Sequence, residues 1–162
     1  MARFSKRLLL SLCVASAFLV AGGALAADCT WTGATDTTWN TGTNWDCGHM
    51  PAVADNAIFN GGSPAITGVV TGPISSLQVI NNAQVSMTAS VAPTLTVSNG
   101  AIGLLITAGS KLTLSGATAI TIALPLGTSG TVGGAMAFAG GAHRLTALSA
   151  SPVTFSSGSN KS

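Results

Sequence analysis

The sequence predicts an all-β chain, a parallel β-helix (β-solenoid) with a loop-rich, tryptophan-containing N-terminal cap. Three observations point there. Runs such as Ile74 to Met87, Thr94-Leu95-Thr96-Val97 and Lys111-Leu112-Thr113-Leu114-Ser115 alternate apolar with polar residues, the period of a strand. A strand-and-turn phrase recurs: apolar, any, apolar, any, small or Asn, Gly or Asn, Ala or Ser. It is clearest in Leu77-Gln78-Val79-Ile80-Asn81-Asn82-Ala83 and Leu104-Leu105-Ile106-Thr107-Ala108-Gly109-Ser110. Prolines 64, 73, 93, 125 and 152 fall between the runs, as their missing N–H requires. A β-sandwich of short hairpins is the alternative fold, because the phrase also suits hairpin turns.

Residues 1–26 read as a secretion signal. Arg3, Lys6 and Arg7 form a basic start, Leu8 to Val20 an apolar run too short for a membrane span, and Ala24-Leu25-Ala26 a cleavage site. The mature chain is expected to begin at Ala27. A lipoprotein anchor is excluded because Asp28 precedes Cys29 where a small residue is needed. Without the signal, Lys111, Arg144 and Lys161 face Asp28, Asp36, Asp46 and Asp55, a net charge of −1. The basic balance of the whole chain therefore belongs to the signal, and nucleic-acid binding is excluded.

Residues 27–62 form the cap module. It holds all three tryptophans, Trp31, Trp39 and Trp45, separated by Gly, Asn, Thr and Asp turn formers. The indoles read either as a hydrophobic plug over an open end of the core or as a sugar-binding platform. Cys29 and Cys47, left after Cys13 departs with the signal, are expected to pair as a disulfide in an oxidising compartment. Closing that loop contributes roughly 3 kcal/mol in the chain-entropy model. The alternatives are two free thiols, or metal ligation with His49, for which two Cys and one His make a poor zinc set.

Residues 63–162 are expected to be solenoid repeats. Copies of the phrase begin at 57, 77, 95, 104, 136 and 153. Steps of 17 to 20 fit one coil, the step of 9 fits two strands within a coil, and the step of 32 hides a strand near Thr118 to Leu124. The Gly or Asn of each phrase marks a corner, where positive φ is tolerated. The last phrase breaks off after Ser157-Gly158-Ser159, at Asn160-Lys161-Ser162, so the chain is expected to be truncated and to continue in a longer protein.

The segments Trp31-Thr32-Gly33, Trp39-Asn40, Asn44-Trp45 and Asp55-Asn56-Ala57-Ile58-Phe59 resemble the opening of bacterial surface and secreted proteins with parallel β-solenoid strand repeats, autotransporter passengers among them. Gly134 to Ser159 is similar to the repeats of that class. The resemblance implies export, a solenoid and a surface or adhesive role, and carries over no catalytic residue.

Site chemistry is sparse. From Asn56 onward there is no Asp or Glu, so the solenoid has no carboxylate pair for glycan cleavage. Asp46, His49 and Asp55 read as turn caps and a loop residue before they read as a site. The four aspartates lack the alternating spacing of a calcium loop. His143 and Arg144 read as a surface pair, and no nucleophile elbow accompanies the serines. Thr94/Thr96 and Thr113/Ser115 offer rows of hydroxyls of the kind an ice- or crystal-binding face uses.

The expectation is a non-enzymatic, exported structural or adhesive segment, secreted or at the cell surface. It carries no catalytic, cofactor-binding or metal residues and no membrane span in the mature chain. Its partners would be surface glycans or host and cell-surface components. The alternative is the N-terminal non-catalytic part of a longer carbohydrate-active enzyme.

Overall fold

The computed structural model describes residues 27–99, 101–148, 150–156 and 160–161. The expected signal segment, residues 1–26, and the expected corners at Gly100 and Ser157-Gly158-Ser159 lie outside them.

The described residues form fifteen strands that wind into a β-solenoid of about five turns with three parallel faces. The first face stacks β1 (Asp28–Thr30), β2 (Asn56–Asn60), β5 (Ser76–Ile80), β8 (Leu104–Ile106), β11 (Gly130–Val132) and β14 (Val153–Phe155). The second stacks β3 (Ala65–Ile66), β6 (Gln84–Met87), β9 (Lys111–Gly116), β12 (Ala135–Gly140) and β15 (Asn160–Lys161). The third stacks β4 (Gly72–Ile74), β7 (Thr94–Val97), β10 (Thr121–Leu124) and β13 (Arg144–Ala147). Every strand pairs in parallel with the strand one turn away, so the hairpin sandwich is excluded.

The register explains the alternation. Phe59, Val79, Ile106, Val132 and Phe155 align rung by rung on the inner side of the first face. Val85, Leu112 and Met136 align on the second face, and Leu95, Ile122 and Leu145 on the third. These ladders form one core that runs down the solenoid. Outward positions carry short neutral side chains instead, such as the column Ser86, Thr113, Ala137. Along these inner ladders apolar side chains stack on apolar ones, so a chain with few large residues still buries a continuous core.

The coil length differs from the expected 17 to 20. On the first face Asn56 pairs with Ser76, Leu77 with Leu104, Leu104 with Gly130 and Gly130 with Val153, offsets of 20, 27, 26 and 23 residues. The phrases at 57, 77, 104 and 153 lie on the first face, whereas those at 95 and 136 lie on the third and second. The phrase therefore marks a strand followed by a corner on any face. The step of 9 spans the corner from the third face of one coil to the first face of the next, and the hidden strand is β10. The corner chemistry itself holds. Asn81 and Asn82 have φ of 54° and 61°, and Gly109 has φ of 78°. At Gly140, φ is 101° and a Cβ would lie 2.7 Å from the Gly116 carbonyl oxygen one coil away, so only glycine stacks there.

The two ends differ. Toward residue 27 the core is closed by the cap. Toward the last coil it opens: Phe138 is 41% exposed, and Leu145, Val153 and Phe155 are only partly buried. Met136, Phe138, Leu145, Val153 and Phe155 line an open apolar groove of about 730 Å³ there, with His143 and Arg144 at its edge.

Candidate functional site

The cap is built by a polar loop folded around the three indoles. Trp39 and Trp45 are 1% and 2% exposed, and Trp31 is partly buried. Trp45 meets both other indoles edge-on at 5.0 Å and Phe59 of β2 at 5.7 Å. The Trp45 Nε1–H donates to the Trp39 carbonyl at 2.9 Å, which satisfies the buried indole within the loop. Neither Trp39 nor Trp45 presents a free ring face to a sugar; of the three, only Trp31 reaches the surface.

Cys29 and Cys47 form a disulfide, with Cα atoms 5.0 Å apart, that ties β1 to the loop. Sequence reasoning passed over Asn44, which organises that loop. It is fully buried at the end of a single 3-10 turn, Gly42–Asn44. Its Oδ1 accepts from the backbone N–H groups of Thr35 and Asp36 at 2.9 and 3.0 Å. Its Nδ2 donates to Asp36 Oδ1 and the Thr38 carbonyl at 2.6 and 2.9 Å. Hydrophobic periodicity carries no signal for a buried asparagine; its only trace in the sequence is a Thr-Asn-Trp turn.

The carboxylates serve the cap's backbone. Asp46 Oδ1 accepts from the Thr30 N–H at 2.6 Å, and Asp55, 5% exposed, accepts from the Ala27 and Ala52 N–H groups at 3.1 and 2.9 Å. Asp28 accepts from the Asn56 amide at 2.7 Å. The Asp36 carboxyl is held below its ordinary pKa, first by the Thr38 N–H and then by the Asn44 amide, each at 2.6 Å. Asp46, His49 and Asp55 do not converge on a cleft as an acid–base set; His49 sits on the surface with its Nδ1 3.7 Å from Asp55 Oδ2. Ring nitrogen and sulfur atoms of His49, Cys29 and Cys47 all lie within 4.8 Å of one another.

On the solenoid, His143 is a fastener between coils. Its Nδ1 accepts from the Ile120 N–H at 3.0 Å and its Nε2 lies 3.2 Å from the Gly116 carbonyl, both one coil back. The hydroxyl rows are interrupted. Thr96 aligns with Ala123, Thr121 with Arg144, and Ser115 turns back to Ser86 Oγ at 2.9 Å.

One surface feature repeats coil by coil. The corner leading from the third face to the first exposes an apolar side chain in three successive coils: Ile102 (47%), Leu126 (68%) and Leu148 (57%). In a parallel ladder neighbouring coils lie about 4.8 Å apart, so these side chains share one corner of three stacked coils, at different positions along it: Ile102 is level with Thr128 and Leu148 with Pro125. Among the described residues no helix is long and apolar enough to cross a membrane.

The fold and the site together define a disulfide-closed, tryptophan-capped β-solenoid. Compared with protein-family models, curated proteins and solved structures, the chain matches none of them.

Proposed function

We propose that the chain is an exported, non-catalytic β-solenoid segment that acts as a structural and adhesive scaffold of a bacterial surface or secreted protein. The observation that carries the adhesive part is the exposure of Ile102, Leu126 and Leu148 at the same corner of three successive coils. Water-exposed apolar side chains that recur at one corner give that edge of the solenoid an apolar contact surface. The ladder supports the structural part: its side chains are committed to stacking, and its outer faces are short and nearly uncharged. Export is supported by the basic and apolar leader in residues 1–26 and by the Cys29–Cys47 disulfide, a bond that persists in oxidising compartments.

The test is retention of the chain on alkyl-coated beads, on beads bearing mixed glycans and on bare beads. Wild type is expected to stay on the alkyl surface, and Ile102→Ser/Leu126→Ser/Leu148→Ser to wash off with its circular dichroism unchanged. Equal retention of the two proteins would remove the adhesive reading. Retention on glycan beads that a Trp31→Ala change abolishes would instead favour the non-catalytic part of a longer carbohydrate-active enzyme.

A further inference from the structure

We propose that reduction of the Cys29–Cys47 disulfide turns the cap into a zinc site formed by Cys29, Cys47 and His49. The starting geometry is close. Both sulfur atoms and a His49 ring nitrogen lie within 4.8 Å of one another. Tetrahedral zinc, with Zn–S of about 2.3 Å and Zn–N of about 2.0 Å, sets its ligand atoms roughly 3.5 to 3.8 Å apart. The two sulfurs must part and the imidazole must close in, each by an ångström or two.

The surroundings permit that movement on one side and hold the site on the other. Cys29 is fully buried in β1, which is paired along its length with β2. Cys47 is partly buried and His49 is exposed, in a short loop entered through Gly48 at φ 78°. The mobile ligand is thus the exposed one, and the ion enters from its side. His49 Nδ1 lies 3.1 Å from the Met50 carbonyl oxygen, the kind of acceptor that orients a ligating imidazole, with Asp55 Oδ2 farther off at 3.7 Å. Two Cys and one His fall one ligand short of a closed structural set; with Asp55 bound to the Ala27 and Ala52 N–H groups, the fourth zinc position is left to water, the open three-ligand arrangement.

The chemistry balances. A dithiol reductant supplies two electrons and two protons, its own sulfurs join as a cyclic disulfide, and the Sγ–Sγ bond becomes two thiols. Zn²⁺ then displaces both thiol protons to solvent as two Zn–S bonds form, and neutral His49 donates a lone pair. The same two sulfurs would clasp the tryptophan loop in either redox state. The inference rests on the cap alone and not on the exposed apolar corner, and it concerns the chain while it is reduced, before the disulfide forms in an oxidising compartment or after a dithiol opens it.

The experiment uses the full chain, reduced with a dithiol under argon and desalted, beside the oxidised chain. Zn²⁺ is titrated against a chromophoric chelator, and Co²⁺ serves as the spectroscopic probe. Expected are one Zn²⁺ per reduced chain, none per oxidised chain, and a thiolate-to-cobalt absorption band in the near ultraviolet. His49→Ala, a change at an exposed residue, should weaken zinc binding at least about tenfold. A reduced chain that takes up no zinc, or a His49→Ala chain that binds it as tightly as wild type, overturns the proposal.

Discussion

Asn44 makes the cap's case in a single side chain. Its amide oxygen holds two backbone N–H groups, and its amide nitrogen holds a carboxylate and a carbonyl. Replacing it with Ala removes all four hydrogen bonds and leaves a void where the fully buried amide sat. Stability to urea should fall by about 2–4 kcal/mol, with the far-ultraviolet signal of the solenoid retained. Asp36 belongs to the same network and ties it to pH. Its folded pKa lies below its unfolded value because Thr38 and Asn44 donate to the charged form. Its contribution is therefore fully present above the unfolded value, near 3.9, and is lost as pH falls through the folded one. The urea midpoint should decline below about pH 4, and less steeply in Asp36→Asn. Both residues sit among turn formers in the sequence. That a turn was there could be read; which of its polar side chains is turned inward could not, because tertiary closure by the indoles decides it.

Among the elements, the strands were the easiest to read and the coil was not. Alternation of Leu95, Val97, Leu112, Leu114, Ile120 and Ile122 with Thr and Ser located β7, β9 and β10, and all six apolar residues are buried. Coil length was misread because strand plus corner is one chemical phrase whichever face it occupies, while the loops between faces differ. Six residues separate β7 from β8, but a single residue separates β4 from β5. Only pairing across coils fixes the phase. His143 shows the same limit, since one residue gives no hint that its ring spans two coils. His143→Ala leaves the buried Ile120 N–H without its acceptor. Chemical denaturation should show a loss of about 1–3 kcal/mol.

At the scale of the molecule, the described core is fully covered beside the cap and less covered in the last described coil. The indoles, Phe59 and the disulfide seal the first coil, whereas Phe138, Leu145, Val153 and Phe155 leave the last core layer partly in contact with solvent. Local stability follows how well each rung is covered, so the middle coils should open least often and β13 and β14 most often. The tryptophan content announced a cap. The apolar corner went unread because Ile102, Leu126 and Leu148 stand alone in their loops and share a corner only when the coils stack.

The account rests on this stacked, one-end-capped parallel ladder, and hydrogen–deuterium exchange of the full chain with its disulfide intact tests it most directly. The amides of Leu77, Lys111 and Thr121 donate to Gly103, Ala83 and Pro93, residues that the sequence alone does not bring together. They should be among the slowest to exchange. Arg144 and Ser156, which donate to the preceding coil from the open end, should exchange orders of magnitude faster. Fast exchange at Leu77, Lys111 and Thr121, or protection at Arg144 and Ser156 equal to theirs, would contradict the account.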